Sequence, residues 1–412
     1  MQNSASPSYS VSTDRAFLWR LCIAAWLLRL VIVIGFALTD AIRVYTLSPD
    51  HWQYAKEAYR VMAAMDYGDF ALKSWVDDGW FQFAGLMYYL FVPSPFVVQL
   101  VNITLSVLTV IPLFFVVRQL TDDVRVQRFY AVMVAFFPSL IFWSTLMLKD
   151  SAAIFALALV IYGVFTLRLR FSLWPFLGVI AGLMIFIGTR TYLFMVIIMV
   201  MPAAFLLFPY RRAVIPWRAI LIPAVIGALP MIIGYGYFAS GEFQRSIYFD
   251  VDYINRIRVS MGSQGAGAMF GSEVHQWGNG VFGDIWAALT TVLAVFIPIN
   301  PLDVGSVRQF IALPLVVVMY FLAVPMVTGG LQLWRMRRLT APIFVISSVV
   351  LAVYVGGTSN SGALFRWTSQ IMPYFLLAVA MGVFRRESTR LARLASRVAL
   401  VFSQPRRLAA AY

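Results

Sequence analysis

The chain has 412 residues, of which 61% are hydrophobic, 16% aromatic and only 12% charged. A soluble domain averages about 25% charged residues, so this composition excludes an ordinary water-soluble globule and points to a polytopic membrane protein. The formal charge of +14 comes from 29 Arg and 3 Lys that cluster on no recognition module, so no nucleic acid is expected as a partner, and the single Cys22 excludes an intramolecular disulfide.

The apolar runs are roughly 17–22 residues long and lack the period-2 alternation of barrel strands, which predicts an all-α polytopic membrane protein. After a polar leader with Arg15, the run 16–37 is too long for a signal-peptide core and reads as an uncleaved anchor. Ten spans are expected in all, near 16–37, 96–117, 129–147, 152–167, 173–189, 192–208, 219–238, 309–334, 342–356 and 367–384. The stretches 80–93 and 284–299 are short or Pro-flanked and read as interfacial or re-entrant pieces.

Cations set the expected sidedness. Arg118, Arg125 and Arg128, then Arg168 and Arg170, then Arg211, Arg212 and Arg218, then Arg335, Arg337 and Arg338 fall in alternate short connections, which makes those connections cytoplasmic. The same parity puts both termini inside, as in a bacterial inner membrane. Residues 1–384 then form one transmembrane domain with outer loops 38–95 and 239–308, and 385–412 form a cytoplasmic basic amphipathic tail. In that tail a helix would align Arg390, Arg393 and Arg397 beside Leu391, Leu394 and Val398, the pattern of a helix lying on the bilayer surface. Fourteen of the 18 acidic residues fall on the outer side, so any chemistry faces outward.

In the first outer loop, Ser48-Pro49-Asp50 is a helix-start signal. A helix from Asp50 puts Asp50, Tyr54 and Glu57 on one face and Ala55, Ala58 and Val61 on another. The first face suits a cavity wall; equally, Asp50 caps the helix and the aromatics form an interfacial belt. Asp150, after Lys149, begins a span, either as a helix N-terminal anion or as a second carboxylate facing Asp50.

Three stretches together resemble a family. They are Val97-Val-Gln-Leu-Val-Asn102 with Phe115-Val-Val-Arg118, then Ala135-Phe-Phe-Pro138 to Trp143-Ser144 and Leu148-Lys149-Asp150, and finally Asn360-Ser-Gly-Ala-Leu-Phe-Arg366-Trp with Pro373. With Asp50 in the first outer loop, they resemble the GT-C superfamily of polytopic glycosyltransferases, nearest in style to bacterial relatives of the dolichyl-phosphate-mannose protein mannosyltransferases. The likeness covers about residues 16–150 and 357–384. It implies a GT-C-like fold with loop helices outside the membrane, and a transferase that takes a sugar from a polyprenyl-phosphate donor, with Asp50 as general base. The acceptor would be a glycan, a lipid or a protein. Many such members carry an Asp-Glu pair where this chain has Asp50-His51, and the Trp-Trp-Asp-Tyr-Gly signature of the oligosaccharyltransferase catalytic subunit is not found.

Sugar transfer from a lipid phosphate needs a carboxylate to take the acceptor proton, cations to hold the departing phosphate, and a lipid-accessible groove. Asp50 and Asp150 are the carboxylates; Lys149, Arg190 and Arg366, at outer ends of spans, are the cations, each of which would otherwise simply snorkel to the interface. Tyr54 and Glu57 would line the substrate site. Arg258 precedes the run Gly262-Ser-Gln-Gly265-Ala-Gly267-Ala-Met-Phe-Gly271, which reads as a phosphate cradle or a flexible loop. His51 and His275 are the only histidines; should a cation bind with the carboxylates, oxygen ligands favour Mg²⁺ or Mn²⁺. The competing readings are a polysaccharide polymerase or O-antigen ligase, a lipid-linked sugar transporter or flippase, and a non-enzymatic assembly subunit.

Overall fold

The computed structural model of the chain describes residues 11–39, 49–68, 75–191, 307–357 and 366–384, with isolated positions between 193 and 201 and between 280 and 285. Most of the expected span 192–208, all of 219–238, nearly all of the loop 239–308, and all of the tail 385–412 lie outside the described residues. Helices dominate, and no strand occurs among the described residues.

The described helices are α1 (Val11–Thr39), α2 (Pro49–Asp66), α3 (Trp75–Leu90), α4 (Pro95–Leu108), α5 (Val110–Leu120), α6 (Val124–Phe136), α7 (Pro138–Ser144), α8 (Asp150–Leu169), α9 (Leu173–Thr189), α10 (Val307–Arg335), α11 (Arg337–Gly357) and α12 (Met372–Val383). Four stretches are long and apolar enough to cross a bilayer: Asp14–Thr39, Pro95–Leu120, Asp150–Leu169 and Leu313–Arg335. A fifth arises if α6 and α7 count as one span bent by 43°. These helices are compatible with an integral membrane protein.

Proline decides where the helices break. Thr109 keeps helical angles, φ −56° and ψ −31°, so α4 and α5 run on as one span although Pro112 removes a donor from the ladder. Pro138 has the opposite effect: it pushes Phe137 to φ −65° and ψ 127°, which ends α6 and starts α7 in a new direction. The span expected over 129–147 is therefore two helices, and it ends at Ser144. Likewise the last expected span, 367–384, holds a 12-residue helix that starts at Met372, shorter than the stretches long enough to cross a bilayer.

The centre of the array is α8, apolar on every side and buried along nearly its whole length. It packs against α9, where a Cβ on Gly182 would meet the Ala156 carbonyl oxygen at 2.7 Å; only glycine lets the two backbones approach this closely. The α10–α12 contact uses the same device, with Gly329 against the Ala378 carbonyl and Gly382 against that of Pro325. On α2, Ala55 and Ala58 are buried against Ala84 of α3, the small-residue face expected from the sequence.

Between α7 and α8 the chain leaves the helical path at residues 145–149 while remaining almost completely buried. Irregular backbone inside a bundle needs side-chain partners for its polar groups. Gln99 Nε2 donates to the Thr145 carbonyl at 2.7 Å, and Asn102 Nδ2 donates to the carbonyls of Leu146 at 2.7 Å and Leu148 at 2.9 Å. His51 Nδ1 accepts the Met147 N–H at 3.0 Å. Two helices thus pin the segment that delivers Asp150.

Candidate functional site

Asp150 opens α8 in its first turn, where the unpaired N–H groups of a helix favour an anion. Its side chain is wholly buried and is held from three directions. Arg190, just past the end of α9, donates through Nη2 to Oδ1 at 2.9 Å; Gln370 Nε2 donates to the same oxygen at 2.7 Å; Arg366 Nε donates to Oδ2 at 2.5 Å. Gln370 and Arg366 both come from the short helix and turn that lead into α12.

Arg366 carries the network outward. Its Nη1 donates to Oδ2 of Asp50, which sits in the first turn of α2. The Asp50 side chain is 47% exposed whereas that of Arg366 is 10% exposed, so the chain Asp150–Arg366–Asp50 runs from the buried interior to an exposed edge. The Arg366 guanidinium also lies 5.9 Å from the centre of the Tyr54 ring, and that of Arg190 lies 5.8 Å from the Trp367 ring. Both contacts are within reach of a cation–π attraction. Burial alone would lower the Arg366 pKa, but the acidic groups around it, Asp150 first and then Tyr54 and Asp50, together outweigh it and hold the guanidinium above its ordinary value. It stays cationic.

Beside Asp50, the buried His51 faces the other way. Its Nδ1 takes the Met147 N–H, and burial pushes the imidazole down to about 4, so the ring is neutral at physiological pH and acts as an acceptor. Asp50 and His51 are thus divided between two tasks, one on Arg366 and one on the segment before Asp150.

The structure brings together Asp50, Asp150, Arg190, Arg366 and Tyr54. Lys149 is the N-cap residue of α8, immediately before Asp150. Glu57 is not in this network: its carboxylate lies 3.8 Å from Arg60, one turn further along α2. Arg258, His275 and the glycine-rich run lie outside the described residues. Among the described residues no group of three or more His, Cys, Asp and Glu side chains is assembled, and Asp50 and Asp150 both turn to Arg366.

Two contributors were not singled out as site residues from the sequence. Gln370 supplies a neutral donor to Asp150, and His51 Nδ1 supplies an acceptor to the Met147 N–H. A polar Gln four residues after Arg366 at the head of an apolar helix was the available signal. Farther along α12, Tyr374 and Leu377 help line an apolar cavity of about 280 Å³ with Leu333 of α10 and Ile343, Phe344 and Leu351 of α11. Chemically, the arrangement offers one half-exposed carboxylate, two guanidiniums fixed by a buried acid, and aromatic rings beside them. No family model, curated protein or solved structure matches the chain.

Proposed function

We propose that the protein is a membrane glycosyltransferase of GT-C-like architecture, with ten spans and both termini cytoplasmic, that moves a sugar from a polyprenyl-phosphate donor to an acceptor hydroxyl at the extracytoplasmic face. The observation that carries this reading is the pairing of a half-exposed Asp50 with an Arg366 that is locked from behind by the buried Asp150. Asp50 takes the proton of the acceptor hydroxyl as its oxygen bonds to the anomeric carbon. The bond from that carbon to the phosphate oxygen breaks, and the electron pair leaves with the polyprenyl phosphate. Arg366 and Arg190 oppose the charge that builds on the leaving phosphate, with a fork geometry suited to its oxygens. Lys149, next to Asp150 at the head of α8, adds a point charge there. The apolar cavity walled by Tyr374 and Leu377 has the character needed for part of an isoprenoid chain.

The test is transfer in membranes supplied with a polyprenyl-phosphate sugar. Asp50→Ala should lower turnover at least about a hundredfold, the scale of a lost general base, while the protein still elutes as a folded monodisperse species. Near-normal turnover would refute the base role. A second reading, a lipid-linked sugar flippase, draws support from Arg29, which is fully buried inside the apolar helix α1. Movement of lipid between leaflets without release of polyprenyl phosphate would favour it.

A further inference from the structure

We propose that Asp50 is a resident competitor for an anion site on Arg366, and that the phosphodiester of the donor enters by displacing it. The proposal rests on the transferase reading above and concerns how the same site is loaded. A guanidinium is planar and presents its donors along distinct edges, so it can hold two acids at once. On Arg366 these two edges are unequal. The Nε side meets Asp150, which is wholly buried and also bound by Arg190 and Gln370, so this acid has no room to leave. The Nη1 side meets Asp50, which stands on another helix with nearly half of its side chain exposed. Only the second partner is exchangeable.

Charge points the same way. Two carboxylates and two guanidiniums cancel, so a phosphate arriving on top of Asp50 would place a third acid against two cations. Departure of Asp50 leaves one uncompensated positive charge, facing the exposed side, which matches the single negative charge of the donor's phosphodiester. The exchange has a second effect. While bound to Arg366, Asp50 spends its Oδ2 on a charged hydrogen bond, and that oxygen is not open to the acceptor hydroxyl. Displacement by the phosphate returns that oxygen to the acceptor hydroxyl. Donor binding thereby arms the base, and an empty site holds it idle.

Competition of this kind predicts a sign that a plain binding contact does not. If Asp50 occupies Arg366 about nine-tenths of the time, apparent affinity for the phosphate is reduced about tenfold, and removing the competitor restores it. The experiment measures binding of a short polyprenyl-phosphate sugar, without acceptor, to the purified full-length protein in detergent, with the matching uncharged prenol as control. Asp50→Asn should tighten phosphate binding about tenfold and leave the prenol unchanged. Asp50→Glu keeps the charge and should stay near wild type, and Arg366→Met combined with Asp50→Asn should abolish the gain. Equal or weaker phosphate binding by Asp50→Asn overturns the proposal, as does equal tightening for the prenol, which would mean an opened groove instead of a freed cation. Transfer activity separates this from the reading beneath it. Tightened binding with full turnover in Asp50→Asn leaves the competition standing and removes the base; unchanged affinity with lost turnover does the reverse.

Discussion

Asp150 and Asp14 are each placed between two arginines, in regions that lie far apart along the helices. Asp14 starts the apolar part of α1, fifteen residues before Arg29, a separation of about 22 Å at 1.5 Å per residue. Arg29 in turn bonds the Ser144 hydroxyl at 3.0 Å, just ahead of the segment that leads to Asp150. Around Asp14, the partners are Arg118 at 3.2 Å and Arg128 at 3.6 Å, with Arg128 also 5.2 Å from the Phe17 ring. One acid therefore serves two cations, and Arg118 remains 36% exposed. That arrangement fastens α1 to the ends of α5 and α6 and leaves positive charge facing water. Around Asp150 the cations are nearly buried, a neutral donor completes the carboxylate, and Arg366 passes the network on to a second, exposed acid. A charge network built only to fasten helices has no use for an exchangeable outer member.

The sharpest way to break this comparison is to remove the central acids in turn. Asp150→Asn leaves two buried guanidiniums facing a neutral amide and should cost about 3–5 kcal/mol, the range for stripping one partner from a buried pair. Thermal unfolding in detergent, followed by loss of the monodisperse species, reads this directly. The substitution should lower stability as well as activity, whereas Asp50→Ala, at the exposed end, should affect activity almost alone. If Asp150→Asn is as stable as wild type, the acid is not the anchor described here.

Next in size is a pH effect at His51. Its imidazole is depressed from the ordinary 6.5 to about 4 by burial, so in the window between those values the unfolded chain takes up a proton that the folded chain refuses. Stability is full above pH 6.5 and falls as pH drops toward 4, by about 3 kcal/mol in total at 1.36 kcal/mol per unit. Below 4 this contribution is gone. His51→Gln can still accept the Met147 N–H and does not titrate, so its stability should lack that slope. A slope that persists in His51→Gln assigns the acid sensitivity elsewhere.

These residues also show what a sequence makes legible. Only 12% of the chain is charged, so the few charges near the outer ends of apolar runs stand out, which is why Asp50, Asp150, Arg190 and Arg366 could be picked out from the sequence. Periodicity is weaker evidence, because it fixes a face and not a depth. Glu57 shares the Asp50 face, yet two helical turns move it about 10 Å along the axis, where Arg60 is its neighbour. Uncharged partners leave almost no trace. Gln99, Asn102 and Gln370 look like ordinary polar residues near apolar runs until the 145–149 backbone and Asp150 need donors. The break of the 129–147 span was written in Pro138, but a hydropathy window averages over one proline and runs straight through it.

Asp14→Asn should cost less than Asp150→Asn, about 1–3 kcal/mol, the range for leaving one buried polar partner, here Arg128, without its acid. Arg118 can turn to solvent when its partner is neutralised; Arg190 cannot. Transfer activity should stay close to wild type once temperature is set below the shifted midpoint. Equal losses from Asp14→Asn and Asp150→Asn would erase the distinction between the two regions.

The smallest effect lies beside Asp14, at the start of α6. Asp123 is the N-cap of that helix and accepts the Arg125 N–H at 2.9 Å, while both of its oxygens also meet the Arg125 side chain, at 3.1 and 2.9 Å. Burial by itself raises the Asp123 carboxyl, but the bonds from Arg125 prevail and hold it below the ordinary 3.8. Its stabilisation is therefore complete above that value and is lost only as pH falls below it. Asp123→Asn keeps the cap and gives up the ion pair, an exposed pair worth less than about 1 kcal/mol. Asp123→Ala gives up both and should cost about 1 kcal/mol more, the usual worth of a cap. Arg125 also reaches over Phe384 at 5.7 Å, so a shift in its side chain should be read in the anchoring of α12. If Asn and Ala at 123 behave alike in thermal unfolding, the cap contributes nothing, and the Arg125 contact to Phe384 alone secures this corner.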